Sequence, residues 1–260
     1  MKVAVISLSD AGARVAARLA AARDGLDVYL HASVAELPQA PRFQRVLELT
    51  AELFRACQGL IYVAPMGLVV RALAPCLEHK STDPAVVVVD VGGRWAVSLL
   101  GGHEGGANQL ALDVANLLGC EPVITTTTEA VKDLIVGVGC RRGIPGPSIV
   151  AAIREGLAAA GCELARVRLL ASADVKAHEP GLWEAARELG LPLRIIAADE
   201  IAGSVRAFEH SQFVEEMVGL PAVAEPAALL AGRRTRLILP KKALHGVTLA
   251  IAREYCPSLG

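Results

Sequence analysis

The chain has 260 residues, is 53% hydrophobic and 20% charged, and carries a formal net charge of −1. That length admits one large domain or two modest ones, and the apolar content excludes a disordered chain. Aromatic residues make up only 3%, and no global basic field exists to draw in a polyanion, so nucleic acid is not an expected partner.

The longest uncharged window, residues 56–70, is too short for a bilayer and contains Gly59, Pro65 and Gly67, so no membrane association is expected. The opening MKVAVISLSD reads as a first strand rather than a signal core, because its apolar run is brief and meets Asp10. Six cysteines (Cys57, Cys76, Cys120, Cys140, Cys162 and Cys256) form no C-x-x-C pair, which argues against a disulfide framework or zinc knuckle. The cytoplasm is the default expectation.

Along the chain, strand and helix signals alternate. KVAVISL is a β-branched run, Ala11–Ala22 has helical spacing, and LDVYLHA is again strand-like. Leu49–Cys57 reads as a helix, GLIYVAP as a buried strand, and a helix follows from about Gly67. This is the pattern of a doubly wound, mostly parallel sheet. AVVVVD and RWAVSLL, separated by Val91-Gly92-Gly93, predict a β-hairpin whose second arm feeds the loop GGHEGG. A helix over Asn108–Leu118 and a short strand ending in Thr125–Thr128 complete the first half.

The alternation then restarts with LIVGVGCRRG as a strand entering a Gly/Arg loop. Ser148–Ala160 has helical spacing, with Ser148 as its cap. RVRLLAS, LRIIAAD, TRLILP and GVTLAIA are further strands, and Leu182–Leu189, Gln212–Val218 and Pro226–Leu230 further helices. A boundary near Glu129–Asp133 gives the expected α/β architecture: two αβ domains, residues 1–130 and 131–260, with mostly parallel sheets.

Ligands of open α/β sheets bind outside the carboxyl ends of the strands. Ser7–Asp10, Pro65-Met66-Gly67, Gly101–Gly106 and Thr125–Glu129 are therefore expected to line one edge. Glycine loops that open helices expose backbone N–H groups, which suit anions. No P-loop and no G-x-G-x-x-G is present, which argues against a nucleotide cofactor. His103 and Glu104 are the candidate acid–base pair, framed by Gly101, Gly102, Gly105 and Gly106, because imidazole titrates near neutrality. Asp83 and Asp90 are alternative carboxylates, but their neighbours Pro84 and Gly92 favour a turn-forming role. Arg71, Lys80 and Arg94 are candidate grips for a substrate carboxylate, and Arg141-Arg142 beside Gly139 and Gly143 make a stronger one. Asn108, Thr126 and Thr127 offer hydrogen bonds to a substrate. His31, His79, His178, His210 and His245 show no metal-ligand spacing, so no metal site is assigned.

The run GLIYVAPMGLVVRALAPCLEHKSTDPAVVVVDVGGRWAVSLLGGHEGGANQLALDVANLLGCEPVITTTTEA closely resembles the N-terminal region of the cobalamin biosynthesis protein family CbiG. Its marks are S-T-D-P-A-V-V-V-V-D, S-L-L-G-G-H-x-G-G-A-N and P-V-I-T-T-T-T. DLIVGVGCRRG, VAEPAALLAG and the closing VTLAIARE resemble that family's C-terminal domain. Family members commonly carry a variable middle segment, whereas here ITTTTEAVKDLIVGVG joins the two regions almost directly.

The resemblance implies cobalt-precorrin-5A hydrolase activity in the anaerobic route to vitamin B12. That reaction opens the ring A δ-lactone of a cobalt tetrapyrrole and expels C20 as acetaldehyde, giving cobalt-precorrin-5B. No cofactor is implied, because cobalt arrives with the substrate. A non-catalytic tetrapyrrole carrier, or an anion-binding protein for another metabolite, is the alternative. Self-association as a homodimer and transient contact with neighbouring pathway enzymes are left open.

Overall fold

The computed structural model describes residues 2–204 and 223–255; the helix expected over Gln212–Val218 lies outside the described residues, as do His210 and Cys256. The chain divides into two compact units, Met1–Thr126 and Thr127–Gly260.

The first unit contains β1 (Val3–Ser7), α1 (Asp10–Ala22), β2 (Leu26–His31), β3 (Arg42–Phe43), α2 (Val46–Ala56), β4 (Gly59–Val63), α3 (Met66–Leu73), β5 (Ala85–Val89), β6 (Trp95–Leu100), α4 (Ala107–Leu118) and β7 (Glu121–Val123). Its sheet has the order β3-β2-β1-β4-β5-β6-β7. Every residue of β1, β4 and β5 is buried, because helices cover both faces and leave no side of these strands for polar residues. Val3, Val5, Ile61, Val63, Val87 and Val89 pack with residues of α1 and α4. The alternate residues Ala4, Ile6, Leu60, Tyr62, Val86 and Val88 pack with α2 and α3, so the unit has three layers. The buried Tyr62 hydroxyl is satisfied by Thr50 at 2.9 Å. Burial pushes that phenol up to about 12 even though the Thr50 bond opposes the shift.

The parallel winding breaks at β6, which pairs antiparallel with β5; β7 then pairs parallel with β6. Asp90 makes the reversal. Its Oδ1 accepts the amides of Arg94 and Trp95 at 2.8 and 2.9 Å, and its Oδ2 accepts that of Gly92 at 3.1 Å. The hairpin is as expected, but it corrects the placement of the loops. Ser7–Asp10 and Pro65-Met66-Gly67 follow strands that run one way, whereas Gly101–Gly106 and the residues after Val123 follow strands that run the other. The four loops occupy two opposite edges, not one.

The second unit contains α5 (Thr127–Ala130), β8 (Leu134–Cys140), α6 (Gly146–Ala159), β9 (Val167–Ala173), α7 (Pro180–Leu189), β10 (Leu193–Ile196), α8 (Ala198–Ala202), α9 (Ala224–Leu230), β11 (Thr235–Leu244) and β12 (Val247–Glu254). Strands β10, β9 and β8 run parallel, and the β11–β12 hairpin joins antiparallel beside β8. Residues of α6 and α7 form one core against this sheet, and residues of α8 and α9 another. Two local readings change. Thr127 and Thr128 open a short helix instead of ending a strand. Helix α6 starts at Gly146, with Pro145 at the N-cap position and no side-chain cap, instead of being capped by Ser148, because Pro147 presets the first turn.

Close approach of α9 to β8 fixes Gly137, where a Cβ would stand 1.9 Å from the Ala224 carbonyl oxygen and 2.8 Å from the Ala228 nitrogen. Gly137→Ala is expected to cost about 3 kcal/mol or more by displacing helical backbone. Gly67→Ala, at an exposed position of α3 with nothing within 4 Å of the new methyl, is expected to stabilise by up to about 1 kcal/mol. Urea unfolding of the two variants checks both signs.

Candidate functional site

The loop between β6 and α4 is built on its own backbone. Gly101 and Gly106 take φ of 69° and 83°, in the left-handed region that admits glycine freely. The Gly101 carbonyl accepts the Ala107 amide at 3.0 Å and the Gly102 carbonyl accepts the Asn108 amide at 2.9 Å. Those two first-turn amides of α4 therefore point back into the loop rather than outward to an anion. The close packing explains the remaining glycines. A Cβ on Gly105 would meet the Gly101 oxygen at 2.9 Å, and one on Gly102 would meet Thr126 Cγ2 at 2.6 Å.

Asn108, only 8% exposed, holds the base of the loop. Its Oδ1 accepts from Ser98 Oγ at 2.8 Å, and its Nδ2 donates to Thr126 Oγ1 at 2.9 Å. Asn108 and Thr126 are thus brought together as an internal pin between β6, α4 and the segment after β7.

His103 and Glu104 form the exposed apex. Glu104 ion-pairs with Lys80 at 3.3 Å, an exposed contact that orients more than it stabilises. Lys80 belongs to the turn that Asp83 organises by accepting the amides of Glu78 and His79, each at 3.2 Å. Sequence reasoning placed Lys80 among the carboxylate grips but missed its pairing with Glu104, since nothing local in the chain signals a contact across 24 positions. Asp83, like Asp90, is occupied in turn formation.

The other candidates lie elsewhere. Arg71 is exposed on α3, on the opposite face of the sheet from α4. Thr127 opens α5 in the second unit, where its carbonyl accepts the Val131 amide at 3.2 Å. Arg141 and Arg142 are exposed at the carboxyl end of β8. There the Gly143 amide already donates to Glu179 at 3.0 Å. Burial pushes the neighbouring Cys140 thiol up, with Lys176 opposing and Glu179 adding to the shift. Among the described residues no group of three His, Cys, Asp or Glu side chains is arranged to hold a metal, and no helix is long and apolar enough to cross a membrane.

Comparison with known proteins bears on both units. Residues 48–129 match the family described as Cobalamin synthesis G N-terminal, and residues 134–252 match Cobalamin synthesis G C-terminus. A cobalt-precorrin-5A hydrolase of Priestia megaterium is 26% identical over 302 residues, covering 78% of this chain and 80% of that protein. One from Salmonella typhimurium is 26% identical over 324 residues, covering 88% and 91%. That alignment is longer than this chain, so the relative has residues where this chain has none. The protein CobE of a Sinorhizobium species is 36% identical over 128 residues, covering 48% of this chain and 83% of its own.

Replacing Asn108 by Ala is expected to cost about 2 kcal/mol, because it removes two hydrogen bonds and leaves the Ser98 and Thr126 hydroxyls to find others. Chemical denaturation measures the loss, and amide exchange across residues 101–108 localises it. Asp90 gives a pH prediction. Burial raises its pKa, but the amides of Trp95, Arg94 and Gly92 together with the Arg94 guanidinium outweigh burial and hold it below 3.8. A depressed carboxylate stabilises fully above its unfolded value and loses that contribution as the pH falls through its folded value. Melting temperature should therefore fall more steeply below about pH 4 in the wild type than in Asp90→Asn.

Proposed function

Because the chain belongs to the cobalamin synthesis G family, CbiG, we propose that it is a cobalt-precorrin-5A hydrolase. The observation that carries this reading is the match of both units to the family together with relatives of that name aligned over most of the chain. The substrate is a cobalt tetrapyrrole rimmed with acetate and propionate groups, and the metal enters as part of it.

The reaction needs a base for water, a donor for the oxyanion and a proton carrier for the departing carbon. We assign the first role to His103 or Glu104, the exposed pair at the apex of the glycine loop. Water adds to the lactone carbonyl as the base takes its proton. Collapse of the tetrahedral species breaks the ring ester C–O bond, leaving a carboxylate and a freed hydroxyl on the carbon that departs. Removing that hydroxyl proton forms the aldehyde carbonyl as the bond to the macrocycle breaks. The electron pair passes into the conjugated ring, which takes up a proton, and acetaldehyde leaves.

Loop amides not engaged by Gly101 and Gly102 supply the oxyanion donors in this scheme. Arg71 stands on the opposite face and edge of the first sheet from this loop, which sets it apart from the reacting lactone. Arg141 and Arg142, at the carboxyl end of β8, and Thr127, at the start of α5, are separate cationic and hydrogen-bonding groups of the second unit. Asn108 and Thr126 act by holding the loop.

Anaerobic incubation with cobalt-precorrin-5A and trapping of acetaldehyde tests the reading. Acetaldehyde release is expected, and His103→Ala or Glu104→Gln should lower its rate by about two orders of magnitude, the larger loss marking the base. Both variants releasing acetaldehyde at near wild-type rates would remove the pair from the mechanism. Tight binding without conversion would instead make the protein a carrier.

A further inference from the structure

The edge of the second sheet remote from Arg141 and Arg142 gathers arginines from several strands. Strands β8 and β9 begin there, β12 ends there and β11 begins there. Leu134 stands in register with Val167 and with Arg253, and Arg253 with Arg236. Arg166 and Arg168 flank Val167, and Arg233-Arg234 lie in the turn entering β11.

Part of this cluster has a structural reason. Asp133 is shared between Arg166 and Arg253, the latter with Nε at 3.4 Å. Glu254 pairs with Arg168 at 2.8 Å and accepts the Arg233 amide. Arg168 and Arg194 both donate to the Ala231 carbonyl, at 3.4 and 2.9 Å, where α9 ends and leaves carbonyls to be satisfied.

That accounting uses Asp133 and Glu254, and Glu163 is the other described carboxylate beside Arg166. Arg234 and Arg236 then add exposed positive charge to this edge. Arg234 does so from the left-handed region, with φ of 51°, a conformation unfavourable for a residue with a side chain. Arg236 lies 5.5 Å from the ring of Tyr255, which is itself 43% exposed. The buried Nε of Arg168 lacks a hydrogen-bond acceptor among the described residues, and that of Arg253 has only the ion-pair contact with Asp133. Like charges held this close repel one another, and an anion removes that repulsion.

We propose that this edge binds a polycarboxylate, a rigid anion whose several carboxylates seat on the planar guanidinium groups. Its identification with the acetate and propionate rim of the tetrapyrrole rests on the hydrolase reading above.

The probe is coproporphyrin, a porphyrin with four carboxylates, titrated into the full chain by fluorescence, with its methyl ester and pyrophosphate as comparators. Arg234→Glu with Arg236→Glu is expected to weaken binding at least tenfold. Charge reversal at the exposed Arg154 and Arg187 on α6 and α7 should change it less than twofold. Arg234→Gln with Arg236→Gln, with an unchanged melting curve, guards against loss of fold. Equal losses in the two charge-reversed pairs would overturn the proposal, as would equally tight binding of the methyl ester or ready displacement by pyrophosphate. Loss only on reversing Arg141 and Arg142 would move the carboxylates to the other edge. Wild-type turnover and binding by the Arg234 and Arg236 variants would overturn this inference alone. Porphyrin binding at this edge by a chain that releases no acetaldehyde would overturn the hydrolase reading and leave the anion edge standing.

Discussion

One half-buried carboxylate sets the geometry of the first unit. Asp90 collects three backbone amides at the end of β5 and turns the chain back on itself, so β6 runs against its neighbours. Without that reversal a crossover would carry β6 in parallel, and the glycine loop would sit beside the Ser7 and Pro65 loops. With it, the loop lies next to the entry into β5, where Asp83, Pro84 and Lys80 are its neighbours. The position of His103 and Glu104 is a consequence of strand direction before it is a matter of loop chemistry.

The loop has two mechanical regimes. Its base is a set of short, neutral hydrogen bonds among Ser98, Asn108 and Thr126, largely shielded from solvent and hence from salt. Its apex carries an ion pair with the Lys80 and Glu104 side chains 76% and 50% exposed, which salt screens. Raising the ionic strength therefore weakens the hold on the apex and leaves the base as it is.

The buried strands were legible because covering both faces of a sheet leaves one solution, an unbroken apolar run, and GLIYVAP and AVVVVD have it. The hairpin was legible from Gly92-Gly93. The direction of β6 was legible too, but its effect on loop placement emerges only when all strands are ordered in one sheet. The glycine loop itself was read as a surface for a ligand, whereas much of its glycine content serves close contact with Pro84, Thr126 and itself. Such contacts involve residues far apart in sequence and leave no local signature. The start of α6 was misread for a simpler reason: Ser148 is a good cap by composition, but Pro145 and Pro147 had already set the backbone. The arginine edge has no local signature in the chain, because its members come from segments scattered between Arg166 and Arg253.

The junction between the units has a further consequence for how such chains vary in length. Strands β7 and β8 belong to different sheets, so no register crosses residues 124–133 and an insertion there shifts no strand pairing. Yet Thr126 is tied to Asn108, and through it to the loop that carries His103. Extra residues placed before Thr126 would pull that tie apart, while those placed after it would leave the loop untouched. The chain is free to lengthen on one side of a single threonine and is constrained on the other.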